Sequence, residues 1–142
     1  MATESKLYIQ NDGKLLATYS HATQTTVTVV RLNQNGTEDS GFGTNGKVTS
    51  QVGSPSTYDF TKDIIVQPNG KIIVTGSSYS SGSASDYLVI RYNSNGTIDN
   101  TFGSSSNGIV VTSVASTDED RGKSVKLQSD GKIVVAGSSC TG

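Results

Sequence analysis

Short stretches of apolar, mostly β-branched residues alternate along the chain with polar stretches rich in Gly, Asn, Asp and Ser. Apolar stretches of about four to eight residues between such turn signals are typical of β-strands. No segment combines an apolar period of 3.6 residues with helix caps, so we expect almost no helix. The pattern predicts an all-β chain.

The same pattern recurs along the chain. Three segments align without gaps around a turn, at 9–16, 66–73 and 127–134. Segments 29–39 and 89–99 also match, and a Phe-Gly pair follows each of them. The period is roughly 60 residues, and self-similarity at a fixed period is the sequence signature of a repeat protein.

Each full unit contains four predicted strands, which we name a to d in chain order. In the first unit they cover residues 7–10, 14–19, 27–32 and 47–52, and in the second 63–67, 71–76, 87–92 and 108–114. A half unit follows with strands a and b only, at 125–128 and 132–137. Consecutive antiparallel strands in groups of four are typical of β-propeller blades. We therefore expect one domain over residues 1–142, with units 5–61 and 62–122 and a half unit 123–142, making about two and a half blades.

The turn between strands a and b repeats as Asp12-Gly13, Asn69-Gly70 and Asp130-Gly131. Such pairs favour a two-residue type I′ hairpin turn, in which both central residues have positive φ. We expect this turn in all three units.

These segments resemble the bacterial delta-60 repeat, whose pattern reads Gln-x-Asp-Gly-Lys-Ile, then Ala-Arg-Tyr-Asn-x-x-Gly-x-x-Asp-x-x-Phe-Gly. The resemblance covers nearly the whole chain. It implies a propeller-like fold, tandem occurrence in large bacterial proteins that are often secreted or exposed at the cell surface, and no catalytic residues. The first unit departs from the pattern at Tyr19, where the other units have Gly76 and Gly137, and at Leu32, where the second unit has Tyr92.

Two and a half units leave the outer faces of the end blades exposed. Propellers typically close with about four to eight blades, and two and a half do not reach that number. Either the units belong to a longer array, or the chain associates with itself as a homo-oligomer, a trimer or a dimer.

Charge and hydropathy exclude several classes of partner. With 11 Lys and Arg against 12 Asp and Glu, the net charge is -1, which gives no electrostatic footprint for nucleic acid or an anionic membrane. No apolar run approaches the roughly 20 residues that a membrane helix needs, so we expect no membrane insertion. The resemblance places the protein outside the cell or at the cell surface.

Candidate ligand contacts lie in polar segments that differ between units, at 20–26, 53–61, 77–86 and 116–122. We expect these segments to be loops on one face, because functional residues concentrate on loops held by rigid strands. Aromatic rings beside carboxylates suit stacking and hydrogen bonding to a glycan or surface polymer. The alternative is that the rings pack a long loop and that the acidic run is a solvated turn. The candidates are His21, Tyr58, Asp59, Phe60, Tyr79, Asp86, Asp118, Glu119, Asp120 and Arg121.

Neither a metal nor a cofactor is predicted. The oxygen-bearing residues Asn33, Asn35, Thr37 and Asp39, which recur in the second unit, suggest a calcium loop, but Asx-turn hydrogen bonds explain them without a metal. The recurring Arg31 and Arg91 are expected to pair with Asp39 and Asp99 of the same unit. The recurring Lys14, Lys71 and Lys132 are expected to be turn and edge residues.

The sequence gives little support for catalysis. No nucleophile, zinc or phosphate-loop motif is present, and the acidic residues at 118–120 are adjacent, whereas a glycosidase needs two carboxyls facing across a cleft. We expect a non-enzymatic, adhesin-like recognition module. The alternative is a structural spacer or assembly unit of a large surface protein or fibre, and a glycosidase-type enzyme is less favoured.

Overall fold

The computed structural model describes residues 5–20, 26–52, 58–79, 85–114 and 119–140. Those ranges contain ten strands in three antiparallel sheets and no helix, hence none that could span a membrane. The first sheet contains β1 (Ser5–Ile9), β2 (Leu15–Ser20), β3 (Thr26–Leu32) and β4 (Lys47–Gln51). The second contains β5 (Tyr58–Val66), β6 (Ile72–Tyr79), β7 (Ser85–Tyr92) and β8 (Ile109–Thr112), and the third β9 (Glu119–Leu127) and β10 (Ile133–Cys140). The strand order follows the chain in each sheet, which confirms the prediction of four-stranded blades and a half blade.

The main core lies between the first and second sheets. Side chains alternate between the two faces of a strand, so Leu16 and Val29 face the second sheet, whose Ile72, Val74 and Ile90 face back. None of these five is exposed. Burying side chains of this size contributes roughly 1.5–3 kcal/mol each. This core therefore fixes how the two full units pack together.

The third sheet covers only part of the second. Strand β9 packs against β5, β6 and β7, and Val125 of β9 and Ile73 of β6 are fully buried there. Within the described residues, the third sheet has no strand beyond β10. The outer part of this face of the second sheet, on β7 and β8, is therefore open.

The prediction of a type I′ turn between strands a and b is wrong. In the first unit the Gly13 N–H donates to the Gln10 carbonyl at 2.9 Å, and Gln10 N–H donates to the Lys14 carbonyl at 2.8 Å. Gly13 has a φ of 77°, but neither Asn11 nor Asp12 is in the positive region. This is a three-residue hairpin closed by a left-handed glycine. Asp12 Oδ1 accepts the Lys14 N–H at 3.1 Å, and this bond stabilises the three-residue form.

The Asn-Gly turns between strands c and d use the same geometry. Gly36 N–H donates to the Asn33 carbonyl at 2.9 Å, and Asn35 Oδ1 accepts from the N–H and the hydroxyl of Thr37 at 3.1 and 2.7 Å. The second unit repeats these bonds. The Asx-turn prediction is confirmed.

An ion-pair cluster in each full unit joins the a–b turn, strand c and the connection between strands c and d. Asp39 Oδ2 lies 2.7 Å from Arg31 Nε and 2.8 Å from Lys14 Nζ, and Asp99 makes the same contacts with Arg91 and Lys71 at 2.6 and 2.5 Å. The Arg–Asp prediction is confirmed. Lys14 and Lys71 close the turns between strands a and b, as expected, and each is also a partner of one of these buried carboxylates.

Strands a and b of the later units run further than predicted, because their backbone pairing continues through polar sequence. Strand β5 begins at Tyr58 rather than at 63, and β9 at Glu119 rather than at 125. Each ladder contains a register shift, at Thr61/Asp63 in β5 and at Ala136/Gly137 in β10. A β-bulge of this kind lets pairing continue past a local irregularity.

This extension corrects the placement of the candidate residues. The segments predicted as loops end in strands, and small polar side chains occupy buried strand positions, such as Ser77 and Ser78. The second and third sheets approach so closely there that a Cβ on Gly122 would lie 2.5 Å from the Gly76 carbonyl oxygen, so only small residues fit. The candidates that lie in strands rather than loops are Tyr58, Asp59, Phe60, Tyr79, Asp86, Glu119, Asp120 and Arg121.

Candidate ligand-binding cleft

A cleft of about 320 Å³ lies at the ends of the strands away from the Asp-Gly turns. All three sheets contribute to it, because strand b of the first sheet, strands a to c of the second and strand a of the third end side by side. Four of the residues expected to contact a ligand line it: Phe60, Tyr79, Glu119 and Arg121. The sequence did not single out the others, which are Ser20, Thr61, Lys62, Ser77 and Ser85.

Pairing between β5 and β6 builds the aromatic wall of the cleft. Phe60 pairs with Ser77, and Tyr79 pairs with the first residue of β5. Residues two apart on a strand share a face, so Phe60, Ser77 and Tyr79 lie on one face. Phe60 keeps 37% of its surface exposed. An exposed ring beside a second, partly buried ring is available for stacking against a ligand.

The charged wall comes from β9 of the third sheet. Arg121 donates to Glu119 through its guanidinium group, and both side chains are about half exposed. They are two residues apart and therefore project from the same face of β9. An exposed ion pair of this kind contributes little to stability, so both groups remain able to exchange this contact for bonds to a ligand.

Buried hydroxyl groups contribute to the cleft as well. Thr61 and Ser77 are only 2% and 4% exposed, and neither hydroxyl has a hydrogen-bond partner within the described part of the chain. The Thr61 N–H donates to Ser20 Oγ at 3.3 Å, which leaves the Ser20 hydroxyl hydrogen free to donate. A buried polar group without a partner costs about 1–3 kcal/mol. Hydroxyl groups of a ligand would remove part of this cost.

Asp59 and Asp120 are buried inside the protein. They occupy equivalent places in consecutive units, at the start of strand a, and are 1% and 0% exposed. Asp120 Oδ2 accepts the N–H of Val114, which follows strand d of the preceding unit, at 2.6 Å. Burial raises the pKa of Asp59. Both carboxylates therefore lie inside the protein rather than lining the cleft, and Asp120 joins its unit to the one before it.

Of the remaining candidates, Asp86 does not line the cleft. Asp86 lies in β7, where it pairs with Ser78. Tyr58 is the first residue of β5. His21 and Asp118 lie outside the described residues.

The described residues that line the cleft do not form the donor set of a metal site. They include one carboxylate, Glu119, and no His or Cys, and the described ranges contain no group of three or more His, Cys, Asp or Glu side chains placed to hold a metal ion. The donors present are hydroxyls, a guanidinium group and an ammonium group. They suit a neutral or anionic ligand with many oxygen atoms.

Comparison with known proteins agrees with the three-sheet arrangement. The chain matches the model of the family described as "Domain of unknown function (DUF5122) beta-propeller" over residues 10–42, 67–102 and 128–139. Comparisons with curated proteins and with solved structures gave no match. The first two segments run from the turn before strand b to the Phe of each full unit, the third covers the equivalent start of the half unit, and together they make up more than half of the chain. The chain therefore belongs to the DUF5122 beta-propeller family.

Proposed function

We propose that this protein is a non-enzymatic, adhesin-like recognition module that binds a glycan or surface polymer in the cleft between its three sheets. The observation that supports this most is the arrangement of Phe60 and Tyr79 beside the Glu119–Arg121 pair. A sugar ring offers an apolar face for stacking and hydroxyl groups at its edge, and this lining offers a partner for each.

The size and the polarity of the cleft support the same ligand class. Its volume of about 320 Å³ lies at the lower end of small-molecule sites, which span roughly 300–1,000 Å³. The hydroxyls of Thr61 and Ser77 would bond to ligand hydroxyls that enter the cleft. One or two sugar rings of a longer polymer would fill such a space.

Binding without hydrolysis is favoured by the position of the acidic groups. Glycoside hydrolysis needs two carboxyls facing each other across the scissile bond. Among the described lining residues, Glu119 is the single carboxylate and is paired with Arg121, while Asp59 and Asp120 are buried elsewhere. These groups suit recognition of a polymer rather than its cleavage.

The resemblance to the bacterial delta-60 repeat extends this proposal to location. Proteins with that repeat are often secreted or surface-exposed, and a polymer-binding module is useful there. The second candidate function is a structural spacer or assembly unit, completed in a longer array or as a homo-oligomeric trimer or dimer. It is favoured by exposed apolar residues on the outer strands, such as Leu7 and Ile9 of β1, which are 54% and 65% exposed.

The experiment is a screen of the full chain against an array of bacterial and host glycans and surface polymers. The best ligand is then titrated against Phe60→Ala, Tyr79→Ala and Arg121→Gln. We expect each substitution to weaken binding about tenfold or more, the equivalent of losing roughly 1.4 kcal/mol. Tyr19→Ala is the matched control, because Tyr19 is 38% exposed but does not line the cleft.

Two outcomes would contradict the proposal. If the three cleft variants bind as tightly as the original chain, the ligand is bound elsewhere. If no glycan or polymer binds, the spacer function is favoured. A glycosidase assay on the bound ligand should show no turnover.

A further inference from the structure

A second groove, separate from the cleft, lies on the open face of the second sheet. Its volume is about 630 Å³, and apolar side chains of β7, β8 and β10 with nearby turn residues dominate its lining. Those that matter here are Val89, Phe102, Val110, Val114, Ile133 and Val135. Val114 is 66% exposed. Strand β9 covers the inner part of this face, so the groove is the outer part.

The equivalent space between the first and second sheets is filled. The residues that fill it show what kind of segment would fit the groove. The face of the first sheet that corresponds to the open face is covered by strands of the second sheet, with Leu88, Ile90 and Tyr92 of β7 fully buried in the contact. Strand β7 pairs with β6 on one edge and β8 on the other. In this contact, strand c of the second unit and its turn toward strand d lie on the first sheet, at the position that corresponds to the groove on the second sheet.

The turn after strand c fastens this contact through three interactions. Arg31 Nη1 donates to the Ser94 carbonyl at 2.6 Å, and Gly43 N–H donates to the Asn95 carbonyl at 2.8 Å. The buried Phe42 ring lies against Gly96, where an added Cβ would be 3.0 Å from the ring. The Asn-Gly turn of one unit is thus bound by the Arg and the Phe-Gly pair of the unit before it.

The second unit has the same binding groups at the groove. Arg91, Phe102 and Gly103 are its equivalents of Arg31, Phe42 and Gly43. Arg91 Nε holds Asp99 as Arg31 holds Asp39, and its guanidinium group lies 4.5 Å over the Phe102 ring. Unlike Phe42, Phe102 is partly exposed and lines the groove.

We propose that the groove binds a β-hairpin made of strands c and d of a further unit of this repeat, with its Asn-Gly turn seated on Arg91 and Phe102. Strand c would pair with the free edge of β10 by adding a strand to the sheet. Its apolar residues at the positions of Leu88, Ile90 and Tyr92 would cover Val89, Val110 and Ile133. The turn would present its carbonyl groups to Arg91 Nη1 and the Gly103 N–H.

A second copy of this chain does not supply that hairpin without unfolding. Both of its c–d hairpins are paired with strand b of their own sheets. The partner is therefore a unit whose strands c and d are not already held by a strand b. This inference is independent of the glycan cleft, because the two sites share no lining residue.

The test joins a copy of residues 82–114 directly after Gly142, so that the added hairpin follows β10 as the original follows β6. We expect the extended chain to melt at least about 5 °C higher than the original chain. It should also have a larger denaturant m-value, since more surface is buried on folding. Amides of β10 and β8 should become protected from hydrogen exchange. The control is the same extension carrying Gly96→Val in the added copy, where a side chain would collide with Phe102.

The outcomes distinguish the occupants of the groove. Equal melting temperatures and m-values for the extended and original chains, with the added segment exchanging as unfolded chain, would overturn the proposal. So would a stable dimer of the original chain in which β8 and β10 are already protected, because a second copy would then fill the groove. If the extended chain that carries Gly96→Val still melts at the higher temperature, the seating of the turn on Phe102 would also be overturned. The Arg91→Ala substitution is made in both the extended and the unextended chain. If the extension then no longer raises the melting temperature, the proposed seating of the turn is supported.

Discussion

The hydroxyl of Tyr92 donates a 3.0 Å hydrogen bond to the hydroxyl of Ser50, across the contact between the second and first sheets. Both residues are buried. The first unit has Leu32 at the position equivalent to Tyr92, so the tyrosine occurs where a preceding sheet provides a partner. This single bond joins the third strand of one blade to the fourth strand of the blade before it.

We predict that Tyr92→Phe lowers the free energy of unfolding by about 1–2 kcal/mol, because the Ser50 hydroxyl remains buried without its donor. Chemical denaturation monitored by circular dichroism measures this. Ser50→Ala should have a similar effect, and the double variant should lose less than the sum of the two. Additive losses would mean that the two hydroxyls contribute independently.

The same tyrosine predicts an alkaline limit to stability. Burial raises the pKa of Tyr92 from 10.0 to about 12, and the bond to Ser50 only partly opposes the rise. The unfolded chain therefore loses this proton at lower pH than the folded chain, and the stability that Tyr92 contributes decreases as pH rises from about 10 through about 12. Tyr92→Phe should show a shallower decrease over this range in denaturation titrations. Equal slopes in the two proteins would contradict the assignment.

The ion-pair clusters predict the opposite limit, in acid. The hydrogen bond from Lys14, the Gly41 N–H and the contact with Arg31 lower the pKa of Asp39 from 3.8 to about 2, and Lys71 and Thr101 likewise lower the pKa of Asp99. The unfolded chain takes up these protons first as pH falls. Stability contributed by the carboxylates is therefore fully present above about pH 4 and is lost as pH falls through about 2.

Asp39→Asn and Asp99→Asn should flatten this acid dependence while making the protein less stable at neutral pH, because each leaves an Arg and a Lys without their carboxylate. Urea titrations at pH 2 to 6 measure both effects. Asp12→Asn is the control, since an Asn at this turn position still accepts the backbone N–H, as Asn69 does in the second unit. A variant profile as steep as that of the original chain would contradict the role of the clusters.

Regular parts of the fold could be predicted because the repeat reports them three times. The Asp-Gly and Asn-Gly turns and the alternation of apolar residues predicted all ten strands. The spacing of Arg and Asp predicted the ion pairs. The alignment did not reveal the turn type, because Asp-Gly fits both a two-residue and a three-residue hairpin and the backbone bond of Gln10 decides between them.

Five of the nine described residues that line the cleft were not predicted, and the physical reason is different. Ser20, Thr61 and Ser77 are small polar residues whose burial depends on neighbouring sheets, and a single strand carries no signal of that. The acidic residues gave a misleading signal, since Asp59 and Asp120 look like surface residues in the sequence but are buried where consecutive units join. One signal was available: the recurring Gly76 and Gly137 mark the strand pairing that continues into Phe60 and Arg121.

That signal leads to the prediction with the largest expected effect. A Cβ on Gly76 would collide with the Phe60 carbonyl oxygen, and one on Gly137 would collide with the Arg121 carbonyl oxygen. Neither collision can be relieved without moving the bulged strand. We therefore expect Gly76→Ala to destabilise the protein by about 3 kcal/mol or more. It should also weaken ligand binding, because Phe60 lines the cleft. Thermal and urea denaturation measure the first effect, and titration of the ligand measures the second.

The first unit shows that the bulge, and not the position, excludes a side chain. Tyr19 occupies the place equivalent to Gly76, and the ladder between β1 and β2 runs from Ser5↔Tyr19 to Ile9↔Leu15 without a register shift. Gly131→Asn provides the control, since Gly131 has a φ of 83° and open space around it and Asn is among the residues that tolerate this region. We expect it to lose about 1 kcal/mol or less. If Gly76→Ala were no more damaging than Gly131→Asn, the bulge would not hold Phe60 in place.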